Sequence, residues 1–100
     1  MTYFNSKKTS IVPILSSFKE TSFVIMVLEP DGIIGMHKAN SDQLFIVAKG
    51  EGWICSDTSR RIPLKQGEGV LWKEGENHES GTETGMTVYI IEGKGFSFKV

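Results

Sequence analysis

The chain has 100 residues, 39% hydrophobic and 23% charged, which is the size and composition of one globular domain over 1–100 rather than of a disordered segment. Eleven Lys and Arg against twelve Asp and Glu leave a net charge of −1, so the basic footprint expected for a nucleic-acid or anionic-membrane partner is missing. The longest apolar run, Phe23 to Leu28, is far short of the ~20 residues that span a bilayer, the N-terminus shows no signal-peptide core, and the single Cys55 excludes an intrachain disulfide framework, so the expected setting is cytoplasmic.

Turn signals at Pro30-Asp31-Gly32, Gly50-Glu51-Gly52, Ser56 to Ser59, Gly67-Glu68-Gly69, Gly75, Gly81, Gly85 and Gly93 cut the chain into short β-rich segments. In order these are Thr9–Leu15, Thr21–Glu29, Gly35–His37, Gln43–Lys49, Gly52–Ser56, Arg61–Leu64, Gly69–Trp72, Asn77–Ser80, Met86–Glu92 and Phe96–Lys99. No stretch of ten or more residues carries apolar side chains at helical spacing without an internal Gly or Pro, so a helical turn is expected only near Ser16–Glu20. The fold class is therefore all-β, a sandwich or barrel. Phe23–Leu28 and Leu44–Ala48 are apolar on both faces, which suits strands covered inside by a core and outside by a second sheet or subunit. A homodimer is expected, with Trp53, Leu44 and Ile46 on the outer parity.

The chain has two histidines, and each closes a Gly-punctuated segment at the mouth of a strand. His37 ends Gly32-Ile33-Ile34-Gly35-Met36-His37, and His78 ends the stretch that begins at Gly67. Strand alternation places His37, Ala39, Ser41, Gln43, Phe45 and Val47 on one face. The same rule turns Trp72 and Ile54 inward and Trp53 and Cys55 outward. Cys55, pointed away from the histidines, reads as a small hydrophobe rather than a nucleophile. Met26, Met36 and Met86 read as packing or pocket lining, and Lys73, Glu74 and Glu76 as a charged, solvated rim beside His78. Phosphate-loop, Cys-x-x-Cys, His-Glu-x-x-His and Gly-x-Ser-x-Gly signatures are all missing.

Together the two glycine-histidine segments resemble the paired motifs of the cupin superfamily, small β-barrels of jelly-roll type. Motif 1 covers about 30–50: Pro30-Asp31 stands for the opening Pro-Gly, His37 for the first histidine, Ala39 for the second, Gln43 for the glutamate and Gly50 for the last glycine. Motif 2 covers about 67–82: Gly67, Lys73 in the proline place, Gly75, His78, and Thr82 where an Asn is usual. In metal-bearing members the ion is held by His-x-His, the glutamate and the second-motif histidine. Transferred residue by residue, that leaves His37, Gln43 and His78 as the set for one divalent transition metal, Fe, Mn, Ni or Zn. An amide oxygen donates less well than a carboxylate, and a Zn²⁺ or Fe²⁺ site ordinarily has at least three ligands of His, Cys or carboxylate type. Asp42 has the wrong parity to replace the carboxylate unless a bulge re-aims it.

The leading expectation is a barrel that binds a small polar molecule in a pocket lined by His37, Gln43, Phe45, Trp72 and His78, with a reduced metal site. The alternative is a metal-dependent oxygenase or isomerase. A purely structural domain would show a barrel filled by side chains. The resemblance fixes fold, not chemistry, and leaves open whether the chain is an enzyme.

Overall fold

Seven strands run through the computed structural model, which describes residues 7–18, 21–58 and 60–93: β1 (Lys7–Phe18), β2 (Thr21–Lys38), β3 (Asp42–Ser56), β4 (Ile62–Lys65), β5 (Gly69–Trp72), β6 (Asn77–Gly81) and β7 (Met86–Gly93). Among these residues there is no helix long and apolar enough to cross a membrane. All pairings are antiparallel.

Two long strands organise the jelly roll by serving two sheets each. The first half of β2 pairs β1 and β7, and its second half pairs β6. The first half of β3 pairs β7 and β5, and its second half pairs β4 and β6. One sheet therefore runs β1, β2, β7, β3, β5, and the other β2, β6, β3, β4. The bends that carry each strand from one sheet to the other fall where the sequence signals turns. In β2 the bend is at Pro30-Asp31-Gly32, with Asp31 in the left-handed region at φ 66°. In β3 it is at Gly50, φ 80°, where a Cβ would also strike the carbonyl oxygen of Gly85. Aspartate tolerates this region better than most residues, so Asp31 can stand in the place of the motif glycine.

The core is built in cross-strand layers between the sheets. Val24, Ile90, Phe45 and Val70 form one row, and Met26, Val88 and Val47 the next. Ile34 and Ile54 close it from the other sheet, with Ser80 between them. Phe45, Met26, Val47 and Val88 are almost wholly removed from water, and each such side chain contributes roughly 1.5–3 kcal/mol.

Four expectations need correction. The segments 21–29 and 35–37 are one strand, as are 43–49 and 52–56, because the intervening glycines bend the chain without ending its pairing. No helical turn forms at Ser16–Phe18, which continues β1 with Phe18 opposite Thr21; hairpin pairing overrides the weak local preference. The rest of that turn and the segment Phe96–Lys99 lie outside the described residues. Met36 is exposed rather than packed, unlike Met26 and Met86. Its neighbourhood contains a bulge: Ile34 pairs Ser80 but His37 pairs His78, one extra residue on β2. Trp53 is carried by the Gly50 bend onto the other sheet from Leu44 and Ile46; it packs over Gly81 with the Arg61 guanidinium 3.7 Å above its ring.

Candidate functional site

At one end of the barrel the layers change character. The inward row that follows Val24, Ile90, Phe45 and Val70 is Ser22 (β2), Glu92 (β7), Gln43 (β3) and Trp72 (β5). From the other sheet, His37 and His78 stand directly opposite each other on β2 and β6. The bulge at Gly35-Met36 makes this meeting happen. Ile34 faces the core, and without the extra residue His37 would fall on the opposite face.

The aromatic rings are in contact. His37 and His78 pack edge to face with centroids 4.2 Å apart, and His78 stacks on Trp72 at 4.8 Å with 12° between planes. The Nδ1–H of His37 donates to the Gly35 carbonyl at 2.8 Å; a carbonyl can only accept, so in the neutral ring the lone pair is on Nε2. His78 is 3% exposed, and neither of its ring nitrogens has a hydrogen-bond partner among the described residues. Burial, and then the neighbouring His37, push its pKa down to about 4 from the ordinary 6.5. The Glu76 carbonyl, which also accepts from the Ala39 N–H at 2.9 Å, pulls the other way.

Gln43, also 3% exposed, donates from Nε2 to Glu92 Oε2 at 3.3 Å. Ser22 Oγ donates to the other carboxylate oxygen, Oε1, also at 3.3 Å. A cavity of about 10 Å³ lies among Ile34, His37, Gln43, Phe45, His78 and Ser80, room for about one water-sized group.

The two sequence motifs are laced together over this end. The turn after β5 is held to the loop after β2 by Gly75 N–H to Ala39 O at 2.8 Å and Ala39 N–H to Glu76 O at 2.9 Å. Asp42 accepts from the Glu74 N–H at 3.0 Å and faces Lys73 Nζ at 3.7 Å. It is thus committed to the turn and does not enter the pocket. Thr82, in the usual Asn place, donates to the Glu51 carbonyl at 2.6 Å and accepts from the Gly85 N–H at 2.9 Å.

Of the expected pocket residues, the structure brings His37, Gln43, Phe45 and His78 around one cavity and sets Trp72 against His78. Ala39 contributes a buried methyl where the second motif histidine would stand. Among the described residues, no group of three or more His, Cys, Asp and Glu side chains is placed to hold a metal ion. Cys55 is buried on the outer side of β3, its thiol 3.7 Å from Glu79 Oε1; burial first, then that carboxylate, push its pKa up and keep it a thiol. Sequence reasoning missed Ser80 and Glu92. Glu92 had a signal: in Met86, Val88, Ile90, Glu92 it is the one charge on an otherwise apolar inward parity.

No family model and no curated protein matches the chain by sequence. Solved structures match it closely in shape. The polyketide cyclase RemF from Streptomyces resistomycificus superposes with a TM-score of 0.82 at 14% identity, covering 99% of this chain and 79% of that one. A protein described as a predicted oxalate decarboxylase from Thermotoga maritima gives 0.79 at 22% identity, covering 92% and 87%. An RmlC-like cupin with a double-stranded β-helix fold from Methanocaldococcus jannaschii gives 0.78 at 14%, covering 86% and 80%. The chain has the cupin fold. The cupin barrel explains why two motifs 41 residues apart, counted from His37 to His78, converge on one cavity. It leaves the chemistry to the side chains at the barrel's end.

Proposed function

We propose that this cupin barrel binds a small polar molecule, one group of which enters the cavity at His37 and His78. The observation that carries the reading is His78 itself. A buried imidazole with both nitrogens unpartnered costs stability, of order 1–3 kcal/mol per unsatisfied group, and such a cost is typical of a site shaped for a ligand. Gln43 and Phe45 complete the cavity wall, and Trp72 fixes the plane of His78.

An imidazole lone pair suits a transition metal, but the remaining donors do not fit one. His37, His78 and the Gln43 amide fall short of three His, Cys or carboxylate ligands, and the nearby Glu92 carboxylate, bonded to Gln43 and Ser22, does not line the cavity. Binding rather than metal-dependent oxygenase or isomerase chemistry is therefore the function supported best. Oxalate, suggested by the name of the Thermotoga protein, is a ligand to test rather than an assignment.

The outer face of the five-stranded sheet supports a homodimer. Phe23, Ile25, Leu44, Ile46, Leu71 and Tyr89 lie in adjacent rows on it with no charge among them, and an uncharged apolar face complements a copy of itself. A lone cysteine, Cys55, suits the cytoplasm.

Long-range proton–nitrogen NMR of the imidazoles tests the binding reading, with zinc chloride, sodium oxalate, sodium formate and methylammonium chloride as separate probes. At least one should shift His78 saturably, with loss of response in His37→Ala and none in Lys65→Ala. Indifference of His78 to all four would overturn the proposal.

A further inference from the structure

We infer that the group admitted to the cavity is a neutral hydroxyl, held among His78, Ser80 and the carbonyl end of Gln43, so that the ligand is an alcohol or polyol rather than an ion. The inference rests on the binding reading above and adds the chemical class of the ligand.

It follows from what the cavity wall can give and take. Both ring nitrogens of His78 lack a hydrogen-bond partner among the described residues, and a neutral imidazole carries one N–H and one lone pair. Gln43 turns its NH₂ group to Glu92, because a carboxylate only accepts, and its carbonyl oxygen is the end left for the cavity that it lines. Ser80 lies two residues beyond His78 on β6 and so on the same inward face. It is a buried serine between Ile34 and Ile54 on the neighbouring strands, a place where packing alone calls for an apolar side chain, and its hydroxyl can rotate to donate or to accept. The wall therefore offers donors and acceptors together. A hydroxyl answers both. It accepts from an imidazole N–H while donating to the Gln43 oxygen, or donates to a bare imidazole nitrogen while accepting from Ser80, so it fits either tautomer of His78. An ammonium could only donate, and a carboxylate could only accept.

Size and solvation point the same way. The space, about 10 Å³, matches one oxygen with its proton. Ile34, Phe45 and Ile90 contribute apolar walls, and no Asp, Glu, Lys or Arg among the described residues lines it. An ion entering this space would give up its water shell without touching a carboxylate, ammonium or guanidinium group, at a far greater cost than a neutral hydroxyl. His78 itself registers that cost: burial is the first cause of its pKa of about 4.

The test follows the His78 nitrogen shifts as 1,2-ethanediol is added, and compares it with zinc chloride, sodium oxalate, sodium formate and methylammonium chloride at matched ionic strength. Ethanediol should half-saturate the shift at a concentration at least about fivefold below that of any of the four, the margin of roughly one neutral hydrogen bond. Ser80→Ala should weaken ethanediol binding by about fivefold or more while melting at or above the wild-type temperature, and Lys65→Ala should leave binding unchanged. Ser80→Cys, which keeps the size and replaces the hydroxyl by a weak donor, serves if the alanine variant does not fold. An ionic probe that binds as tightly as ethanediol, or more tightly, would overturn the hydroxyl assignment while leaving the shared pocket intact. Unchanged ethanediol binding in Ser80→Ala would overturn the part given to Ser80. A His78 that responds to none of the five probes would remove the pocket reading itself.

Discussion

Adjacent layers of one barrel follow opposite rules. The row of Val24, Ile90, Phe45 and Val70 is apolar across four strands, so burial alone stabilises it. One residue pair further along the same strands, Ser22, Glu92, Gln43 and Trp72 meet two buried or half-buried imidazoles, and two ring nitrogens remain unsatisfied. The backbone ladder is the same in both rows. What differs is which side chain holds the inward parity, which separates the part of the barrel that supplies stability from the part that offers chemistry.

The sharpest way to break this comparison is in the apolar layer. Phe45→Ala should destabilise the fold by about 3–5 kcal/mol in chemical denaturation, because it opens a cavity beneath both sheets. A loss below about 1 kcal/mol would mean that the layer does not bear the core.

Acid should act on the end layer. His78 has a folded pKa near 4 against 6.5, so between those values the unfolded chain binds the proton that the native chain refuses. This contribution to stability is complete above pH 6.5, declines as pH falls toward 4, and is lost below it. At about 1.4 kcal/mol per pKa unit the total is of order 3 kcal/mol. Melting temperatures from pH 8 to 4.5 should fall in the wild type and fall less in His78→Phe. Equal slopes would place the acid sensitivity elsewhere.

The apolar outer face of the same sheet offers a third contrast: in the proposed dimer it stabilises association rather than the fold. Ile46→Glu, between Tyr89 and the rest of that face, should raise the dimer dissociation constant by about a hundredfold, about 2.7 kcal/mol, read by light scattering with little change in the circular dichroism spectrum. A wild-type monomer at micromolar concentration would contradict the dimer.

The smallest effect is expected at the two bends. Gly50 has the residue its φ requires, whereas Asp31 does not, so Asp31→Gly should relieve strain and stabilise by up to about 1 kcal/mol. A clear loss would show that Asp31 has a role beyond its backbone.

Much of this contrast is legible in the sequence because alternation and motif spacing are both local. Gln43, Phe45 and Trp72 follow from parity, and His78 follows from its spacing to Gly67 and Gly75. Alternation aims His37 with Gln43, but its approach to His78 depends on a bulge at Gly35-Met36 that leaves no periodic signal. The same local reading grouped Trp53 with Leu44 and Ile46, since parity carries no information about a bend that sends one strand into two sheets. Glu92 was overlooked although its parity betrays it. Its significance lies in Ser22 and Gln43, 70 and 49 residues away, and only the fold brings them together.

The central claim is that the barrel's end layer gives up stability for binding, and His78→Phe tests it most directly. Phenylalanine keeps the stack on Trp72 and removes both unsatisfied nitrogens. At pH 7 the variant should melt at or above the wild-type temperature, by roughly 1 kcal/mol or more in stability, and should no longer bind the probe that shifts His78 in the wild type, as followed by the His37 nitrogen shifts. A variant that loses stability while still binding that probe as the wild type does would contradict the account.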